Sequence, residues 1–220
     1  FGGGDRFRIS TVKLLADGSL GALNPAQGEV VTTLKEDGER LSRLVSDLLL
    51  LSRIESPNLI YQFVPCDLAG IIRSALPQFL PLAEQGGVSL AAQPEADLPL
   101  VLADPDKIKW VLNNLLSNAV KYTDPGGRIL VRARLTGASV TCEVSDTGEG
   151  IPPAFLERIF DKYVQVSSYD LELRGSGLGL AVAKSIILAH NGRIWCESEL
   201  HQGSSFYFTL PLSDKGVLHP

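Results

Sequence analysis

DPDKIKWVLNNLLSNAVKY, residues 104–122, decides how the rest of the chain is read. Asp104 is placed to cap a helix. Pro105 falls in the first turn, where its missing N–H costs nothing, and Ile108, Val111, Leu112, Leu115, Leu116 and Ala119 recur at helical spacing. The pattern predicts an amphipathic helix with one buried face. Asn114 and Asn118 interrupt it four residues apart, so they stack on one side, with Lys121 and Tyr122 just beyond. An asparagine carbonyl is a hard oxygen suited to Mg²⁺, an ammonium suits phosphate, and a tyrosine ring offers a face to a base. Together they describe a nucleotide clamp; a lone pair of asparagines more often hydrogen-bonds a neighbouring loop.

Around this helix the pattern mixes strands and helices: strand 59–64, helix 68–83, strands 88–92 and 100–103 before it, helix 178–189 and strands 193–198 and 205–212 after it. Ile129, Val131, Ala133 and Leu135 alternate with Leu130, Arg132 and Arg134, and Val140, Cys142 and Val144 repeat the alternation, predicting an antiparallel pair turned at Thr136-Gly137. The whole of 59–212 reads as a mixed sheet layered against helices, and 213–220 as a tail.

The first part differs. FGGGDRFR, residues 1–8, has no periodicity; 9–15 reads as the tail of a helix stopped by Asp17-Gly18, and Asn24-Pro25 opens a second, longer helix that runs to about Ile54. In the second, Leu34, Leu41 and Leu48 keep a seven-residue spacing, Leu44 and Leu51 add a second row, and Glu36/Arg40 and Glu39/Arg43 form exposed pairs. Two helices cannot cover such a seam alone. Residues 1–55 are therefore expected to form a hairpin that dimerises into a four-helix bundle, the alternative being packing on their own chain. Ser56-Pro57-Asn58 marks the boundary. The fold class is α+β.

With 220 residues, 45% hydrophobic, 20% charged and a net charge of −5, the chain is globular and not a general binder of nucleic acid or membrane surfaces. No apolar run spans a bilayer, so a membrane enters only through a segment upstream of these residues. Cys66, Cys142 and Cys196 have no metal-ligand spacing and read as small core residues in a reducing compartment, which places the chain in the cytoplasm.

Two glycine-rich stretches carry further chemistry. DTGEGIP, residues 146–152, puts the Asp146 carboxylate at a strand end, followed by Gly148 and Gly150, which let backbone approach a ligand before Ile151. A carboxylate there accepts from an exocyclic amine such as adenine's; an Asx-turn is the plainer alternative. RGSGLGL, residues 174–180, runs into a helix whose N–H groups suit phosphate, although its G-x-G-x-G spacing is neither a dinucleotide fingerprint nor a Walker loop. Phe160 and Tyr163 could flank a lid over 166–174, but aromatics at helical spacing are more often core. His190 reads as a helix-end partner, His201 as a turn residue and His219 as part of the tail.

In this order the stretches resemble a bacterial sensor histidine kinase: NNLLSNAVKYT its asparagine box, DTGEGIP its first glycine box, IFDKYVQV its phenylalanine box, GSGLGLAVAKSIILAHNGRIWCESE its second glycine box and HQGSSFYFTLPL its closing strand. LVSDLLLLSRIES resembles the second helix of the family's dimerisation and phosphotransfer hairpin, so the likeness covers roughly 42–212. The resemblance implies an α/β sandwich ATP-binding domain of the type shared with gyrase and MutL. It implies autophosphorylation from ATP on a histidine and transfer to the receiver domain of a response regulator. It assigns Asn118 and Asn114 to Mg²⁺, Lys121 to phosphate, Tyr122 to the edge of the base and Asp146 to the adenine amine. Gly148, Gly150, Ile151, Arg174, Gly175, Ser176, Gly177, Leu178 and Gly179 complete the ATP pocket. Trp110, Gln165 and Arg174 depart from residues common in the family.

The family's phosphoacceptor, a His-Glu-x-x-Thr-Pro-like segment, falls by spacing near residue 1, and FGGGDRFRIS does not contain it. Three explanations stay open: the segment lies outside these residues, it was replaced, or the protein lacks the histidine. The alternative function is a kinase-like ATP-binding scaffold that regulates a partner kinase. A gyrase-type clamp fits less well, because the hairpin lies N-terminal to the ATP module.

Overall fold

The computed structural model describes residues 23–54, 61–166 and 177–213. The chain divides into two units, the break falling between Ser52 and Arg53.

In the first unit, helix α1 runs Pro25–Ile54 as expected. A reciprocal cap starts it: Gln27 N donates to Asn24 Oδ1 at 2.9 Å, and Asn24 N donates to Gln27 Oε1 at 3.1 Å. Val30, Leu34, Leu41 and Val45 stand exposed along it. The expected helix at 9–15, the Ser56-Pro57-Asn58 boundary, the side chains of Leu44, Leu48 and Leu51 and those of both predicted ion pairs lie outside the described residues.

The second unit is an α/β sandwich. Its elements are β1 (Val64–Cys66), α2 (Leu68–Ala75), α3 (Leu80–Gln85), β2 (Ser89–Pro94), β3 (Val101–Ala103), α4 (Pro105–Tyr122), β4 (Arg128–Thr136), β5 (Ser139–Asp146), α5 (Pro153–Leu156), α6 (Gly179–Ala189), β6 (Ile194–Glu199) and β7 (Gly203–Pro211). A five-stranded sheet has the order β2-β4-β5-β7-β6, and β1 pairs with β3 apart from it. Within the sheet β2 and β4 are parallel and every other pair antiparallel. Because side chains alternate along a strand, Ile129, Val131 and Ala133, Val140, Cys142 and Val144, and Phe206, Phe208 and Leu210 all enter one face. Across it lie the buried residues of α4, Ile108, Val111, Leu112, Leu115, Leu116 and Ala119, as their spacing predicted. Asp104 caps α4, Oδ1 accepting from Lys107 N at 3.2 Å. The hairpin at Thr136-Gly137 forms with Thr136 opposite Ser139.

Two expectations need correction. The helix expected over 68–83 is α2, a 3₁₀ turn at Leu76–Gln78 and α3. Pro77 and Pro81 each remove a backbone donor and crowd the preceding turn, so each begins a new piece instead of continuing the old one. The strand expected over 59–64 begins only at Val64. Tyr61 and Phe63 are held against His190, and Gln62 N donates to Asp104 Oδ2 at 3.1 Å. Leu59 and Ile60 lie outside the described residues.

The cysteines are free; Cys142 is buried and Cys66 and Cys196 are half-buried. Burial pushes all three thiols up, Cys196 to about 12, and of the three Cys142 is the one in the core. No described helix is long and apolar enough to cross a membrane.

Candidate nucleotide site

The end of β5 is pressed onto the end of α4. Glu149 N donates to the carbonyl of Tyr122 at 3.2 Å, and a Cβ on Gly148 would run into that same carbonyl. Only glycine lets the turn come this close. Asp146, the last residue of β5, therefore stands beside Tyr122, on the helix-covered face shared by Val140, Cys142 and Val144. Its Oδ1 accepts from Gly148 N at 2.9 Å and from Ser204 N at 3.2 Å. Among the described residues no hydrogen bond goes to Oδ2. Burial pushes this carboxyl above its usual range, and the two N–H donors partly oppose the shift. A half-buried carboxylate with one oxygen fixed and the other open is an oriented acceptor.

The polar edge of α4 also meets the start of α6. Gly179, its first residue, lies so close to Asn114 that a Cβ would overlap the carboxamide. Asn114 Oδ1 is buried and has no hydrogen-bond partner among the described residues. A buried carbonyl oxygen without a donor is costly, and a group that supplied one would offset that cost. Asn118, one turn further along α4, is half-buried. Lys121 Nζ donates to Tyr122 Oη at 3.0 Å and stands 4.6 Å from the centroid of that ring, so these side chains lie together at the rim.

The remaining expected residues have other places. Gly150, at φ 70°, backs onto the Glu199 carbonyl, and Ile151 N donates to Ser198 Oγ at 2.8 Å, so both fasten the turn to β6 and the β6–β7 connection. The Gly177 carbonyl accepts from Tyr163 N at 2.8 Å. Leu178 is 2% exposed and buries its side chain in the core. Arg174, Gly175, Ser176 and the lid from residue 167 onward lie outside the described residues. Phe160 is core, edge-on to Phe206 at 6.4 Å, whereas Tyr163 is 66% exposed and follows a turn rather than a helix. His190 is 1% exposed with both ring nitrogens within hydrogen-bond distance of backbone, which closes it to a phosphate donor.

Sequence reading missed Ser204, whose N–H helps orient Asp146. A backbone donor leaves no side-chain signature. The one sign was its neighbour Gly203, at φ 99°, where a Cβ would strike the Asp146 carbonyl.

Residues 103–214 match the family described as "Histidine kinase-, DNA gyrase B-, and HSP90-like ATPase", and residues 9–57 match the "His Kinase A (phospho-acceptor) domain". The chain belongs to the sensor histidine kinases. This histidine kinase chain is 37% identical over 203 residues to the adaptive-response sensory kinase SasA of Synechococcus sp. (strain JA-3-3Ab), covering 91% of the chain and 54% of the relative. It is also 37% identical over 186 residues to the alginate biosynthesis sensor protein KinB of Pseudomonas aeruginosa, covering 84% and 31%. Among solved structures it resembles full-length ShkA in complex with AMPPNP, with a TM-score of 0.77 and 29% identity over 97% of this chain and 45% of that one. The chain thus spans about half the length, 54%, of the SasA relative it matches.

The donor set fits a metal that arrives with its nucleotide. Among the described residues no three His, Cys, Asp or Glu side chains gather into a metal cage. Mg²⁺ bound with a nucleotide takes only one or two protein oxygens and fills its octahedron with phosphates and water, and amide oxygens on α4 meet that need.

Proposed function

We propose that this chain is the dimerisation and ATP-binding part, 1–55 and 59–212, of an autophosphorylating protein-histidine kinase in a two-component system. ATP would lie along the polar edge of α4 beside the start of α6, its adenine amine donating to Asp146 and its ring bordered by Tyr122. The phosphates would meet Lys121, the start of α6 and the 174–179 stretch. Asn118 and Asn114 would hold Mg²⁺, which when bound neutralises phosphate charge. The protein's own share is positioning: an imidazole nitrogen attacks the γ-phosphorus in line, a P–N bond forms as the bond to the ADP oxygen breaks, and ADP leaves. The phosphoryl group then passes to an aspartate of a response regulator, and the hairpin pairs with a second copy. Because the reaction consumes ATP, we place the unit in the cytoplasm.

The observation that carries this reading is Asp146, oriented by two backbone N–H groups at the end of β5 beside the end of α4. In Asp146→Asn the oxygen stays with the two backbone N–H groups and an NH2 replaces Oδ2, a donor facing the adenine amine, so Mg²⁺·ATP affinity should fall by about tenfold or more while the melting temperature holds. Unchanged affinity removes the adenine assignment. Incubation of the full-length protein with γ-labelled ATP should give acid-labile, alkali-stable phosphate; binding without label would reduce the protein to a scaffold.

A further inference from the structure

α4 and α6 are pinned together at two points. At one, Gly179 lies against the Asn114 carboxamide. At the other, beyond the far end of α6, Asp104 N donates to His190 Nε2 at 2.9 Å. The stretches 104–114 and 179–190 correspond to roughly 15 and 16.5 Å of helix, so antiparallel helices of closely matched length run between the two pins. The tautomer is dictated: Nδ1 lies 2.8 Å from the Ile186 carbonyl, which can only accept, so Nδ1 carries the proton and Nε2 is the bare acceptor. Asp104 is committed as well, Oδ1 to Lys107 N and Oδ2 to Gln62 N. Tyr61 and Phe63 close edge-on over the imidazole, with ring centroids at 5.3 and 4.9 Å. A helix-end histidine that needed only to cap would not require a buried acceptor aimed at the neighbouring helix.

We propose that His190 is a positioning residue for the nucleotide site: by accepting the Asp104 N–H it sets the register of α6 against α4, and so the place of Gly179 relative to Asn114. The proposal rests on α4 and α6 lining that site. Losing the far pin lets α6 shift along α4, and the place where the shift is felt is the unpartnered Asn114 carbonyl.

Two substitutions in the full chain separate this from simple core filling. His190→Gln reaches the position of Nε2 with its amide and keeps an acceptor for Asp104 N–H. His190→Asn reaches only the position of Nδ1, keeps the bond to Ile186 and loses the acceptor. The asparagine variant should bind Mg²⁺·ATP about tenfold more weakly, and the glutamine variant within about threefold of wild type. Without nucleotide, the Asn114 carboxamide and Gly179 amide resonances should move in the first and stay in the second. Equal weakening in both, or no change in either, overturns the proposal. If wild type does not bind ATP, the nucleotide reading fails, while the resonances still decide whether His190 sets the register.

A titration makes the same test should His190→Asn not fold, since a proton on Nε2 removes the acceptor. The groups facing the ring are the Asp104 carboxylate and the Tyr61 phenol. As the pH falls below 6.5, the ordinary value under which burial holds this ring, the two resonances should shift in wild type and not in His190→Gln. Identical titrations in both overturn it.

Discussion

Along α1, Leu34 and Leu41 stand 53% and 62% exposed, whereas Leu112 and Leu115 on α4 are at 0%. Both helices obey the same rule of apolar recurrence. What differs is the chain around them: α4 is followed by strands that fold back and cover its stripe, and the described residues of α1's own unit include no strand. An open stripe on a long helix asks for a cover from elsewhere, and a second copy is the cover proposed here. The polar residues differ as well. Asn114 and Asn118 stand beside the buried face of α4, each next to a buried residue, and a local rule broken beside a well-packed face is where function is to be sought.

The comparison is broken most severely by emptying the closed stripe. Leu115→Ala should cost about 3 kcal/mol and lower the thermal midpoint of the ATP-binding unit, with nucleotide protecting what remains folded. A loss of only a few tenths would mean that the stripe is less tightly closed than its burial implies. Next comes the open stripe. Leu41→Ala should weaken self-association by about 1.5–2 kcal/mol in sedimentation while leaving ATP affinity unchanged. An unaltered dimer would move the interface off this face, and a wild-type monomer at micromolar concentration would remove it.

Asn118→Asp addresses the polar edge of α4. It should slow phosphoryl transfer by about tenfold or more while ATP affinity changes less than about threefold, because the added charge alters how metal and phosphates are held. Wild-type turnover would take Asn118 out of the metal site.

The smallest effect is on pH. Burial holds His190 below the ordinary imidazole value of 6.5, so the unfolded chain takes up the proton first. Its contribution is complete above about pH 6.5 and lost as the pH falls below it, and a melting temperature that declines there in wild type but less in His190→Gln would bear this out. Asp146 acts with the opposite sign. Its carboxyl is raised above 3.8 by burial, so ionisation costs stability as the pH rises through the carboxylate range, well below the histidine window.

Much of this was legible without coordinates because period and burial are coupled: the stripe of α4, the alternation of β4 and β5 and the cap at Asp104 are properties of neighbouring residues. The break in the 68–83 helix was legible too, in Pro77 and Pro81, had their lost donors been weighed above the apolar spacing. Tyr61 and Phe63 were not, since alternation makes a strand of them and only contact with His190, distant in sequence, makes them a cover.

Propensity and periodicity, which act over a few residues, were enough to place α1, α4, β4 and β5, the apolar face of α4 and the polar residues that stand out beside it. Tertiary structure alone decided that Asp146 meets Ser204, that Gly179 meets Asn114 and that Asp104 meets His190. Those pairs are separated by tens of residues and joined through backbone groups that every residue carries, so no side-chain pattern announces them.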